Sequence, residues 1–300
     1  MTSTKIAESG TASPPRTRHR RGVAGLLGLA PFTVYAALFL ALPTFLAVWT
    51  GLWDGKGNFT WDNFAGLAEP SVLNAFWSSI WLALLTAAIG AVVGALVCYA
   101  LLGIRATSPI RVTVDAAASV LAQFGGVMLA FVFMAAMGTE SIFNKALTGI
   151  GIDIYADSMW LFDMQGLIMP YLYFQLPLMV ITFMPAMRAL KPQWAEANLS
   201  LGGTRRTFWT RIGMPVLAPS FAASYLLLFA NAFSAYATAA ALMSQGSKIV
   251  PLQIRRALTS ETVLGRQNLA GALAAGMIVV MVVVMVAYSA IQRRAERWRA

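Results

Sequence analysis

The chain has 300 residues, 58% of them hydrophobic and 11% charged, with a formal net charge of +10. A soluble fold of this length cannot hide so much apolar surface and still clothe its outside in charge, and disordered chains are far less apolar. A single cysteine, Cys98, excludes a disulfide scaffold; a single histidine, His19, without a histidine or cysteine beside it, excludes the usual zinc sites. An all-α polytopic membrane protein is the class that remains.

Residues 1–22 open the chain as a polar stretch with Pro14-Pro15 and the bases Lys5, Arg16, Arg18, Arg20 and Arg21, which reads as a disordered basic lead. Six apolar runs follow: Val23–Trp49, Phe76–Leu102, Val112–Met137, Met164–Met187, Val216–Met243 and Leu269–Ile291. A helix crossing the hydrocarbon core takes about 20 residues, and strands of a membrane barrel would be shorter and half polar. The first run is too long for a cleavable signal peptide. Residues 23–291 therefore form one domain of six transmembrane helices, followed by a basic tail over 292–300.

Lys and Arg set the orientation. The lead, the loop with Arg105 and Arg111, the loop from Arg188 to Arg211, and the tail with Arg293, Arg294, Arg297 and Arg299 hold 16 of the 22 basic residues. These segments are assigned to the cytoplasm, so both termini are cytoplasmic. The other side holds eight of the twelve acids. One loop goes against the rule: Lys248, Arg255, Arg256 and Arg266 stand between the last two runs, where parity places them outside. Nucleic acid is not a partner, because the charges gather between spans rather than on one basic face.

Polar residues at membrane depth are candidates for function. Gln123, Gln175, Asn231, Ser234, Tyr236 and Thr238 qualify, either as hydrogen bonds between helices or as the lining of a translocation path. Gly90 and Gly94 make a small-residue face suited to close packing. Asp115 follows Arg111 by four residues, the spacing of an ion pair on one helix face or of a bridge to another subunit. No acid stands at mid-depth in any run and no internal repeat is visible, which counts against a proton-coupled carrier. There is no Ser/His/Asp or Cys/His arrangement and no Walker-type glycine loop, so the chain reads as no enzyme, with no metal or cofactor of its own.

The loop over residues 188–215 has structure of its own. Pro192 suits the first turn of a helix, and Trp194, Ala197 and Leu201 fall on one face of it. Gly202-Gly203 ends that helix, and Thr204 caps a second one carrying Phe208, Trp209 and Ile212, which Gly213 and Pro215 are predicted to break. Such a basic, apolar helix–turn–helix outside the bilayer needs a protein partner or anionic headgroups to cover it. Its spacing is Glu196-Ala197-Asn198, three residues, Gly202, nine residues, Ile212-Gly213-Met214-Pro215. This resembles the EAA coupling loop of ABC importer permeases, with Glu196, Ala197, Gly202, Ile212 and Pro215 at the family's positions and Asn198 and Met214 departing from them.

The resemblance covers about residues 25–295. It implies a loop that docks on ABC ATPase subunits, which alone bind ATP. It further implies a second permease subunit, alike or different, an extracytoplasmic solute-binding protein, and residence in a bacterial inner membrane. The path would be lined by Gln175, Asn231, Ser234, Tyr236 and Thr238. The runs Tyr173–Met179 and Leu227–Ala239 look most like spermidine/putrescine-type permeases, which implies a polyamine. Sugar, iron, thiamine and phosphonate permeases are the alternatives, and an ion-driven secondary carrier is the alternative from a different class.

Overall fold

The computed structural model describes residues 20–105, 107–156, 159–243, 248–259 and 266–297. Most of the basic lead and the last three residues of the tail lie outside this set, as do Lys5, Arg16, Arg18 and His19. The chain divides into two compact units, Met1–Ala47 and Val48–Ala300. The first contains α1 (Arg20–Ala36), a single π turn (Ala37–Ala41), and most of α2 (Leu42–Thr50). The second holds α3 (Asp62–Ala65), α4 (Pro70–Leu102), α5 (Pro109–Leu121), α6 (Gly126–Met137) and α7 (Ile142–Gly149). It continues through α8 (Ile168–Arg188), α9 (Pro192–Ser200), α10 (Arg205–Phe208), α11 (Met214–Phe233), α12 (Ala237–Leu242), α13 (Val250–Thr259) and α14 (Arg266–Arg297). Among the described residues the only β pairing is an isolated bridge between Trp53 and Phe59.

Among the described residues six helical stretches are long and apolar enough to cross a membrane: Gly28–Thr50, Pro70–Leu102, Gly126–Gly149, Met164–Arg188, Arg205–Leu242 and Asn268–Ala290. The protein is all-α and polytopic, as predicted. The third and fifth spans differ from their predicted form. Val112–Met137 is not one helix, because α5 ends at Leu121 and α6 begins at Gly126. Gly126 there has φ +71°, a left-handed conformation that interrupts a helix and that glycine adopts without penalty. The fifth span parts again between α11 and α12 at Ser234–Tyr236.

The bundle is centred on α8, which packs against α4, α11 and α5. Lipid tails are as apolar as leucine, so close van der Waals contact holds such helices together, and small residues permit it. A Cβ added at Gly94 would lie 2.6 Å from the Met179 Cβ, and one at Gly90 would lie 3.1 Å from the Gln175 Cβ. The predicted small-residue face is thus the seam between α4 and α8. Ala83, Ala87 and Ala91 continue it, each fully buried.

Both π turns stand just ahead of a proline. Ala37–Ala41 precedes Pro43, and Trp209–Gly213 precedes Pro215. Proline has no N–H, and its ring presses on the carbonyl four residues back. A widened turn relieves that clash. In each case the residue before the proline donates five residues back, Leu42 to Ala37 and Met214 to Trp209.

Candidate functional site

The hairpin between α8 and α11 is closed by a paired C-terminal turn. The Gly203 N–H donates to the Asn198 carbonyl at 2.8 Å, and the Gly202 N–H to the Leu199 carbonyl at 2.9 Å. Gly202 has φ +77° with open space where a Cβ would stand, so its requirement is conformational. Gly203 is needed for space: an added Cβ would lie 2.3 Å from the Asn198 Oδ1. Asn198 is the buried residue of α9, and its Nδ2 donates to the Thr204 carbonyl at 3.1 Å. Thr204 in turn accepts from the Thr207 N–H at 3.3 Å and caps α10, as predicted. In sequence Asn198 stands out only as a departure from the family pattern. The signal that marks it is an Asn four residues ahead of a Gly-Gly pair, where a short amide can satisfy a turn.

Beyond α10 the predicted break is absent. Gly213 and Pro215 do not end the helix, because the π turn absorbs the proline and α10 runs on into α11 as one rod from Arg205 to Phe233. Gly213 leaves room for the Trp209 ring, 2.7 Å from where its Cβ would stand. Phe208 is buried and Ile212 half-buried, while Glu196, Ala197 and Pro215 are exposed. The apolar face predicted for α9 is left largely uncovered by this chain: Leu201 is 89% and Trp194 36% exposed, and Ala197 is exposed.

Beside the hairpin, Arg111 is buried and caps the end of the second span. Its Nη1 donates to the carbonyls of Leu101 at 3.1 Å and Ile104 at 2.9 Å. Asp115 lies 3.9 Å from Arg111 but 3.0 Å from Arg188, so it ties α5 to the end of α8. Sequence reasoning gave Arg111 a topological role and a pairing with Asp115 on one helix face, but nothing local shows which carbonyls a buried guanidinium will reach.

The two broken spans meet. α12 packs against α6, and the Thr238 hydroxyl donates to the Gly126 carbonyl at 3.1 Å. The Tyr171 hydroxyl donates to the Ala235 carbonyl at 3.0 Å. Backbone groups freed by a break at membrane depth must find partners within the protein, and these side chains supply them. The five residues proposed for the path divide accordingly. Asn231, Ser234 and Tyr236 are exposed at the break of the fifth span. Thr238 is a staple, and Gln175 is fully buried, its Nε2 donating to the Thr86 hydroxyl at 2.8 Å while its Oε1 has no partner. Gln123 is exposed at the other break.

A cleft of about 420 Å3 opens from Ser234 and Tyr236 toward α13, lined by Pro251, Ile254, Arg255 and Met277. α13 is amphipathic, burying Val250, Leu252 and Ala257 and exposing Arg255 and Arg256. Its start is held by the Val250 N–H donating to the Ser79 hydroxyl at 2.9 Å and by an ion pair between Lys248 and Asp163. The Lys248 hydrogen bond, helped by the Met164 N–H, holds the Asp163 carboxyl below its usual value. Among the described residues no group of three His, Cys, Asp or Glu could hold a metal ion.

No protein-family model matches the sequence, and no curated protein matches it. Solved structures do. A chain of a bacterial ABC transporter involved in the import of the acidic polysaccharide alginate superposes with a TM-score of 0.71 at 17% identity, over 92% of this chain and 96% of that one. A bacterial alginate ABC transporter in complex with alginate pentasaccharide-bound periplasmic protein gives 0.70 at 18% identity, with the same coverage. A methionine ABC transporter in inward-facing conformations gives 0.56 at 16% identity, over 76% of this chain and 99% of that one. Likeness at these identities speaks of architecture, and the chain shares the fold of these ABC transporter chains.

Proposed function

We propose that the chain is the transmembrane permease subunit of an ATP-driven importer, non-catalytic itself. The observation that carries this reading is the hairpin. Its turn is closed by Gly202, Gly203 and Asn198, it exposes Glu196, Leu199 and Leu201, and its second arm is continuous with the fifth span. A rigid knob on a long rod passes displacement from a partner into the bundle, whereas a flexible loop would absorb it. The partner is an ABC ATPase on the cytoplasmic side. A second permease subunit completes the path, and a solute-binding protein delivers solute to the opposite face of a bacterial inner membrane. The path passes the exposed break at Asn231, Ser234 and Tyr236.

Two substrate readings compete. Resemblance in Tyr173–Met179 and Leu227–Ala239 favours a polyamine. The cleft beside Ser234 and Tyr236 favours an anionic or neutral solute, because Arg255 lines it and, among the described residues, no acid does.

The test is Gly202→Val. A β-branched residue in a left-handed conformation costs about 1–2 kcal/mol, while asparagine enters that region far more readily. Gly202→Val should insert normally yet lose most co-purifying ATPase and most uptake, and Gly202→Asn should retain both. Full ATPase recovery and uptake in Gly202→Val would overturn the reading. Stimulation of ATPase activity by a polyamine-loaded or by an acid-loaded binding protein decides between the substrates.

A further inference from the structure

The bundle carries a second cavity, on the hairpin side and away from the breaks in the third and fifth spans. It is a groove of about 470 Å3 between α4, α8 and α11. Tyr99, Trp209 and Met214 form its mouth beside the hairpin, and Ala95, Ala218 and Phe221 line it one to two turns deeper. Its walls are apolar, and its rim is open sideways: Leu96 is 60% and Met214 62% exposed. The mouth is built around a cation. Arg205 donates to the Tyr99 hydroxyl, and its guanidinium carbon stands 5.8 Å from the centre of the Tyr99 ring. Trp209 meets that ring edge-on at 5.2 Å. Arg206 and Arg211 are exposed nearby in sequence, and among the described residues none of the three arginines forms an ion pair.

We propose that this groove is a site for an anionic phospholipid, with one acyl chain along Ala95, Ala218 and Phe221 and the phosphate at Arg205 and Arg206. Two features select that occupant. An apolar groove open sideways within the bilayer is filled by the acyl tails around it, and tails alone confer no selectivity. Selectivity comes from the rim, where a phosphate accepts charge-assisted hydrogen bonds from guanidinium groups that lack a carboxylate. Arg205 is turned down onto Tyr99 at the mouth of the groove, which fixes the headgroup directly above the tail. A neutral helix in the same groove would leave the arginines unmatched. Tyr99 and Trp209 have the amphipathic rings that sit at headgroup level. The proposal does not depend on the transport reading.

The experiment is native mass spectrometry of the full-length chain in detergent, titrated with phosphatidylglycerol and with phosphatidylcholine of identical acyl chains. The wild-type chain should retain one phosphatidylglycerol in preference to phosphatidylcholine. Arg205→Gln combined with Arg206→Gln should reduce that preference by on the order of fivefold per charge removed. Ala218→Trp, which fills the groove, should lose both lipids while helix content by circular dichroism is unchanged. Because the arginines are exposed, their variants keep the test decisive even where Ala218→Trp does not fold. Equal retention of the two lipids by the wild-type chain would overturn the proposal, as would retention that neither substitution alters. So would a lipid-free dimer that Ala218→Trp dissociates, which would make a second copy the occupant.

Discussion

Gly202 and Gly203 are neighbours, yet a side chain at each fails for a different reason, and the difference is measurable. At Gly202 the obstacle is the backbone; at Gly203 it is the Asn198 side chain lying where a Cβ would go. Gly203→Ala should therefore destabilise the hairpin by about 1–3 kcal/mol, the usual range for overpacking. Asn198→Ala should cost about 1 kcal/mol for its lost hydrogen bond. The double variant should cost less than the sum, by at least about 0.5 kcal/mol, because removing the asparagine removes the clash. Hydrogen exchange over residues 192–208 reads all three, and strict additivity would mean the side chains do not meet. Arg111 offers a second case. Arg111→Met strands the Leu101 and Ile104 carbonyls in a buried place and should cost about 1–3 kcal/mol. Arg111→Lys should recover only part of it, since the ammonium sits on a shorter side chain and gives up the contact of the second guanidinium nitrogen with the Met184 sulfur. Thermal unfolding in detergent checks both. The clash at Gly203 and the bonds of Asn198 and Arg111 were not legible in the sequence. The Gly202 turn was, because Gly-Gly after a helix is a local signal. Asn198 and Arg111 act through partners fixed only by folding.

At the scale of elements, run length and hydrophobicity gave the right number of spans and located five of them, because a membrane helix needs little more than a long apolar stretch; the third, Gly126–Gly149, overlaps the predicted Val112–Met137 only over residues 126–137. The interruptions were harder to read. Gly125-Gly126 marks the break in the third span, as paired glycines often do. Ser234–Tyr236 carries no comparable breaker, and that break is recorded instead in its tertiary staples, Tyr171 on the Ala235 carbonyl and Thr238 on the Gly126 carbonyl. The prediction that Gly213 and Pro215 end a helix applied a sound local rule that a π turn overrode. The element opposite the hairpin, α13, makes a prediction about pH. Asp163 has its carboxyl pKa lowered by Lys248, so the pair contributes stability above the ordinary carboxylate value of about 3.9 and loses it as pH falls through the lowered value. The pair is half-exposed and worth at most about 1 kcal/mol. The melting temperatures of wild type and Asp163→Asn should differ slightly at pH 7 and converge below pH ~4. A gap that persists in acid would assign the effect to something other than charge.

For the whole molecule, the spacing of basic residues predicts a topology that can be tested directly. Reporter fusions at Thr60 and Gly151 should report the outside, and one after Ala300 the cytoplasm. An outside C-terminus would remove the hairpin from any cytoplasmic ATPase. Fold class and membrane placement were the most legible features of the sequence, because composition alone constrains them. The candidate path was the least legible. Gln175 and Thr238 look in sequence like Asn231 and Ser234, and only the folded bundle separates those that bond inward from those that face open space.

The π turn at Trp209–Gly213 also sets an angle. Its hydrogen-bonded ring takes in one residue more than an α turn, so it fixes the rotational phase between the knob and the fifth span. Each residue of an α-helix advances the axis by about 100°. Pro215→Ala, which lets the turn tighten to α with the same number of residues, would leave every other side chain of the hairpin intact and swing its outward face about a quarter-turn away from where it now points. The proline that widens the turn thereby acts as an indexing pin: it decides which way the hairpin faces, independently of how strongly that face binds.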